Sequence, residues 1–168
     1  MADLAEYNAG RLHGRWIDVN GMDEEDLAAE IAASVKLNPH SDGERNEHAF
    51  HDHEGFGNLI GEYTGVSRIV ELIEIADELG DDWPLYVAYA ESLGSDDVSA
   101  DDFKDAYVGS FDSFRDYAIQ TFDEVYGSQV PDFLSAYIDY DAYARDLEAD
   151  MTVIRVSGDF QAHVFHSH

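Results

Sequence analysis

The 168-residue chain contains no cysteine. A disulfide framework, a thiol nucleophile and a thiolate metal site are therefore excluded. The chain also lacks an apolar run of the roughly 20 residues that a membrane-spanning helix needs, and its first residues, Met1–Leu4, are acidic where a secretory signal would be basic. Together these absences predict a cytoplasmic protein that does not enter a membrane.

Basic residues are scarce as well. Only 9 lysines and arginines stand against 37 aspartates and glutamates, which gives a formal net charge of −28. The charged fraction, 27%, is ordinary for a globular protein. The anomaly therefore lies in the sign of the charges, and their mutual repulsion disfavours a compact state. Because such a surface is repelled by nucleic acid and by anionic membranes, we expect neither as a partner, and we expect a partner with a basic surface.

The chain nevertheless has the composition of a folded protein, since 45% of its residues are hydrophobic. Its first part has the pattern of mixed α and β structure. Short strands are predicted over 14–19 and 48–54. A helix is predicted over 23–37, because apolar residues four apart lie on one of its faces and acidic residues fill its first turn.

The middle of the chain has a helical pattern. A helix is predicted over 66–79, where apolar residues cover more than half of the circumference and glutamates share the remaining stripe. So wide an apolar arc must contact more than one neighbour, such as another helix of the same subunit or a second subunit. Pro84 can open the next helix, which is predicted to run to Leu93.

The last part of the chain returns to a mixed pattern. Ser99 opens a helix with a capping-box-like start, a second helix is predicted from Asp112, and a third over 139–150, with Tyr140 and Leu147 in the core. A closing β-hairpin is predicted over 152–165. The whole chain is thus predicted to be an α+β protein with three small modules, namely a mixed module over 1–57, a helical module over 58–98 and an α+β module over 99–168.

Stripes of carboxylates along the predicted helices are the main functional signal. Residues three or four apart on a helix are about 5–6 Å apart, and like charges there are mildly destabilising. An ordinary solvated surface mixes the two signs, yet the chain has only two lysines. The residues predicted to bind a partner are Glu71, Glu74, Glu78, Asp101, Asp102, Asp105, Asp112, Asp116, Asp123, Asp139, Asp146 and Asp150.

Two interpretations of these stripes stay open on composition alone. Duplex DNA carries one negative charge per about 1.7 Å of its axis, so ordered carboxylates could occupy a groove that normally holds phosphates. Alternatively, the chain is a generic, salt-adapted acidic protein that serves as a binding or adaptor module without imitating DNA.

Other candidate sites are weaker. His51 and His53 share one face of a predicted strand near Glu47 and Glu54, and His163, His166 and His168 crowd the end of the chain. Neither group has a recognisable metal-ligand spacing, and the aspartate-rich segments lack the spacing of a calcium loop. The sequence predicts no catalytic residue, no cofactor and no metal site.

Four segments carry a resemblance to a known family. Residues 7–18 (YNAGRLHGRWID) and 137–147 (YIDYDAYARDL) are specific, whereas 51–56 (HDHEGF) and 107–113 (YVGSFDS) would be weak alone. In this order they resemble the ArdA-type antirestriction proteins along nearly the whole chain. Members of this family usually open with a few more residues, which form a strand.

The resemblance implies an elongated, three-module α+β chain that forms a curved homodimer imitating bent B-form DNA. It further implies an inhibitor, not an enzyme, that occupies the DNA-binding groove of the methyltransferase core of type I restriction-modification enzymes and protects DNA of mobile genetic elements. Residues 68–79 are the best match to the family's acidic antirestriction motif.

Overall fold

The computed structural model describes residues 1–8, 10–36, 48–94 and 97–167. Helices and small antiparallel sheets make up two compact units, Met1–Glu91 and Ser92–His168. The predicted α+β class is therefore confirmed, whereas the finer division into three modules stays a prediction. Within the described ranges no helix combines the length and the apolar character needed to cross a bilayer.

Unit 1 is built around a few helices and a very small sheet. Its elements are β1 (Ala2–Asp3), α1 (Leu4–Asn8), α2 (Glu24–Lys36), β2 (His48–Ala49), α3 (Val66–Leu79), a 3₁₀ turn (Gly80–Asp82) and α4 (Trp83–Leu93). Strands β1 and β2 pair antiparallel, with Ala2 opposite Ala49. Helix α2 packs against α3. The helix predicted over 23–37 is thus confirmed as far as Lys36, and Leu37 lies outside the described residues.

Helix α3 has the bounds that its periodicity predicts. Six of its residues are buried, namely Ile69, Val70, Leu72, Ile73, Ile75 and Leu79. Because these residues are already buried in the single chain, the wide apolar arc needs no second subunit to remove it from water.

The two strand predictions in unit 1 were wrong in extent. Of residues 14–19 only Gly14 pairs with another described residue, in an isolated bridge with Ala2. A Cβ atom on Gly14 would lie 2.5 Å from the carbonyl oxygen of Met1, so this contact needs glycine. The second strand ends at Ala49, because the next backbone N–H, that of Phe50, donates to the carbonyl of Glu62 in a loop.

Unit 2 is a three-stranded antiparallel sheet covered by helices. Its elements are α5 (Ala100–Ala106), β3 (Tyr107–Phe111), α6 (Phe114–Tyr126), a 3₁₀ turn (Gly127–Gln129), α7 (Asp132–Ser135), α8 (Tyr140–Glu148), β4 (Met151–Ile154) and β5 (Ala162–His166). The strand order is β3-β5-β4, so β5 is central. The predicted closing hairpin is confirmed as the β4–β5 pair.

The two faces of β5 form the core of unit 2. Val164 joins a cluster with Phe114, Tyr117 and Ala118 of α6 and Ala144 of α8. The neighbouring residue, Phe165, points to the other face, where its ring lies 5.5 Å from that of Phe103 on α5. This alternation is the period of two that a strand requires.

Two expectations for unit 2 need correction. Tyr140 and Leu147, predicted as core residues, are both only partly buried, and of the two Leu147 packs against the core cluster. Strand β3 was not predicted. Its pairing with β5 shifts register between Tyr107 and Gly109, and Gly109 has a φ of +153°, so the segment has a bulge instead of a regular strand pattern.

Candidate functional site

The structure exposes every carboxylate that the sequence predicts to bind a partner. All twelve have exposed side chains, and they lie on α3, α5, α6 and α8 or in the turns that begin or follow these helices. Three belong to unit 1 and nine to unit 2. The name carboxylate surface is used here for these two sets together, and each set is described within its own unit.

In unit 1 the carboxylate surface is the polar stripe of α3. Glu71, Glu74 and Glu78 are exposed, while the opposite side of the helix is packed against the unit. Their spacings of three and four residues put their Cβ atoms about 5–6 Å apart. Glu71 accepts a hydrogen bond from the guanidinium of Arg68 at 2.7 Å, so one charge of this stripe has a cationic neighbour.

On α5 the carboxylates also begin the helix. The hydroxyl of Ser99 accepts from the backbone N–H of Asp102 at 3.0 Å, and the Asp102 carboxylate accepts from the backbone N–H of Ser99 at 3.1 Å. This reciprocal pair is the capping box that the sequence predicts. Asp101 and Asp105 are exposed on the same short helix.

On α6 two of the carboxylates have side-chain hydrogen-bond partners. The Ser113 hydroxyl accepts from the backbone N–H of Asp116 at 3.2 Å and donates to its carboxylate at 2.5 Å. Farther along the helix, Asp123 accepts from the phenol of Tyr140 at 3.1 Å. Partial burial, together with this hydrogen bond, raises the pKa of Tyr140. Asp112 is exposed just before the helix.

Helix α8 begins with a carboxylate as its cap. The Asp139 side chain accepts from the backbone N–H of Ala142 at 2.9 Å. The sequence predicts that Asp139 binds a partner, as do Asp146 and Asp150. It is exposed as predicted, but its carboxylate is aimed at the helix start.

A cross-helix ion pair fixes α8 against α6. The guanidinium of Arg115 donates to Asp141 at 2.5 Å, and this hydrogen bond raises the pKa of Arg115. Sequence analysis did not include Asp141 in the site. The pair joins residues 26 positions apart, so no local pattern could reveal it.

The carboxylate surface is therefore both dense and ordered. Asp102, Asp116 and Asp139 are held by the starts of their own helices, and Asp123 is held by a tyrosine of another helix. Such a surface can bind lysine and arginine side chains without first having to be ordered, which reduces the entropic cost of association.

Among the described residues near the end of the chain, His163 and His166 do not form a cluster. His163 is buried on β5, where its ring nitrogens lie 3.0 Å from a carboxylate oxygen of Asp159 and 3.1 Å from the Tyr107 hydroxyl. His166, the last residue of β5, is exposed, and its odd spacing from His163 along the strand puts the two side chains on opposite faces of the sheet. Glu47 and His168 lie outside the described residues. No group of three or more histidine and carboxylate side chains suited to a metal ion occurs among the residues that the structure describes.

Comparison with known proteins bears on the whole chain. No curated protein matches it. The family model for "Antirestriction protein (ArdA)" matches residues 1–162, nearly the full length. This protein therefore belongs to the ArdA family of antirestriction proteins.

Proposed function

We propose that this protein imitates B-form DNA and competes with DNA for the groove of the methyltransferase core of type I restriction-modification enzymes. Membership of the family implies an antirestriction function and an interaction with restriction enzymes. The observation that best supports the finer proposal is the exposure of all twelve predicted carboxylates on ordered elements.

The proposal depends on the similarity between a carboxylate and a phosphate as partners of basic side chains. Lysine and arginine bind both anions, and arginine can bind either with two parallel hydrogen bonds. The formal charge of −28 equals that of about 48 Å of duplex, or roughly fourteen base pairs. A groove shaped for a bound duplex thus meets a similar quantity of negative charge.

Order distinguishes this surface from an acidic tail. A disordered tail would lose conformational entropy on entering the groove, whereas the carboxylates of α3, α6 and α8 are on helices that already pack on a core. The excess charge also accelerates the encounter with a basic groove at low ionic strength.

We propose that inhibition is stoichiometric, with no chemical step. The target remains intact and regains activity when the inhibitor dissociates. We also propose that the protein acts as a homodimer, which would double the length of the anionic surface. Residues 68–79, the match to the antirestriction motif, would contribute Glu71, Glu74 and Glu78 to binding while the apolar side of α3 supports the fold.

Titration of a purified type I enzyme tests this function. Cleavage of unmodified plasmid should fall linearly with added protein to an end point at a fixed molar ratio, and a type II enzyme assayed in parallel should be unaffected. Dilution of the inhibited mixture should restore cleavage. Complete inhibition at far below one molecule per binding site, or inhibition that dilution does not reverse, would contradict a reversible competitor.

The salt-adapted alternative gives a different result in the same samples. A generic acidic protein of that kind would need molar salt to fold and would leave type I cleavage unchanged at any ratio. Circular dichroism at low and high salt, recorded beside the cleavage assay, separates the two.

A further inference from the structure

Unit 1 contains a cavity that has no part in the proposed function. Its volume is about 590 Å³, within the range of sites that bind small organic molecules. Every described residue that lines it belongs to Met1–Glu91, so the cavity lies within unit 1. None of the twelve residues of the carboxylate surface is part of its lining.

The inner part of the cavity is apolar. Leu27, Ile60, Ile69 and Ile73 line it, and each is less than 9% exposed. Burying a hydrated inorganic ion against such side chains would cost several kcal/mol of hydration that they cannot replace. The inner part therefore favours a hydrocarbon or aromatic group.

Aromatic rings form a second part of the lining. Trp16, Phe50, Phe56 and Trp83 all contribute to it. Trp83 is held in place, because its indole N–H donates to the carbonyl of Gly55 at 2.7 Å and its ring lies edge-on to Phe56 at 6.0 Å. The faces of such rings attract cations.

Carboxylates form the third part. Asp18, Asp52, Glu54 and Asp77 line the cavity and are exposed. Among the described residues that line the cavity there is neither a lysine nor an arginine, and the basic ones are Met1, through its amine, and His53. These carboxylates would repel an anionic ligand, whereas a cationic ligand would be attracted to both the carboxylates and the aromatic rings.

From these three features we infer that the cavity is a binding site for a small organic cation, with an aromatic or aliphatic body and one ammonium or guanidinium group. The body occupies the apolar interior, and the cationic group lies among the carboxylates and the tryptophan rings. This binding is independent of the proposed competition with DNA.

The chain supplies its own reporter for this site. It has two tryptophans, and both line the cavity. We would titrate benzylammonium, benzyl alcohol and benzoate at constant ionic strength and follow tryptophan fluorescence. We expect a saturable change with the cation, binding about three- to tenfold weaker for the alcohol, and none for benzoate. Equal affinity for the cation and the alcohol, or a signal that never saturates, would overturn the inference.

Two variants on α3 separate the cavity from the general negative field. Asp77→Asn removes a carboxylate that lines the cavity, and Glu71→Gln removes one six residues earlier, on the solvent-facing side of the same helix and outside the lining. The first should weaken benzylammonium binding by about threefold and leave benzyl alcohol unchanged, while the second should affect neither. Equal weakening by both would show that the cation responds only to net charge, and the site would be refuted.

Filling the cavity provides the last test. Ala76 is partly exposed and lines the cavity. Because it lines the cavity, Ala76→Phe would put a ring into the space that the ligand needs. This variant should abolish binding of the cation and the alcohol alike, with an unchanged circular dichroism spectrum. Ala76→Leu, a smaller change, should weaken the binding of both ligands. It replaces the phenylalanine variant in this test if that variant does not fold. Full binding to either folded variant would place the ligand elsewhere and refute the inference.

Discussion

Neutralising three carboxylates along α6 should weaken inhibition more than any one replacement. Asp112, Asp116 and Asp123 are exposed, and each can become asparagine with little change in volume. Asparagine also keeps an oxygen that can accept from the Ser113 hydroxyl at position 116 and from the Tyr140 phenol at position 123. The triple variant therefore removes charge while most local hydrogen bonds can persist.

The expected magnitude follows from the exposure of these groups. An exposed ion pair contributes about 0–1 kcal/mol. Each single variant should thus raise the dissociation constant for the enzyme by at most about fivefold, and the triple variant by up to about a hundredfold. The loss should shrink as salt is added, since exposed charges are screened within about 10 Å at 0.1 M ionic strength.

The assay is displacement of a labelled duplex from a type I methyltransferase, followed by fluorescence anisotropy. A matched triple variant changes three exposed acids outside the carboxylate surface, Glu25, Asp81 and Asp82, by the same number of charges. It should retain more inhibition than the α6 triple. If one replacement abolished displacement while the free energy of unfolding stayed unchanged, or if the two triples behaved alike, a distributed, positioned anionic surface would be the wrong explanation.

Three further predictions concern the fold that holds these carboxylates. Phe165→Ala should lower the free energy of unfolding measured in urea by about 3–5 kcal/mol, because the ring is fully buried. The control Phe160→Ala, at a residue that is 96% exposed, should change it by less than about 0.5 kcal/mol. A backbone N–H hydrogen bond from Gln161 lowers the pKa of Asp159 below its ordinary 3.8, so the ionised carboxylate stabilises the fold above that pH, and this contribution is lost as the pH falls below it. Asp159→Asn should therefore reduce the dependence of the free energy of unfolding on pH in acid, and an unchanged dependence would contradict this. Gly14→Ala should accelerate amide exchange in β1, because the added Cβ meets a backbone carbonyl, whereas Gly61→Ala enters open space and should leave exchange unchanged.

Local signals in the sequence were sufficient for most helices. Helix α3 was predicted with its observed bounds because its apolar periodicity is unbroken from Val66 to Leu79. The start of α5 followed from Ser99 and the acidic residue three positions later, which form the expected capping box. In both cases the signal lies within one or two helical turns, so no distant contact was needed.

Strands were predicted less well, because a strand depends on a partner that local sequence does not identify. The segment after Gly14 has strand-like residues but pairs with no strand in the described part of the chain, and Trp16 is 63% exposed. Conversely, Tyr107–Phe111 pairs with β5 more than fifty residues later, through a bulge that interrupts its alternation.

The candidate site shows the same difference between features that depend on local sequence and features that depend on distant contacts. Helical spacing was enough to predict which carboxylates are exposed, and it could have suggested the cap at Asp139, since helix starts favour aspartate. It could not reveal the Arg115–Asp141 pair or the cavity of unit 1, since each brings together residues from separate segments.

Mutual exclusion between this protein and DNA is the most direct test of the central claim. Immobilised type I methyltransferase would be saturated with the protein and then challenged with increasing duplex that carries its recognition sequence. DNA mimicry predicts that the bound protein is released in proportion to the DNA captured, and that protein in excess releases the DNA again. A stable complex in which the enzyme holds the protein and the duplex together would contradict the account.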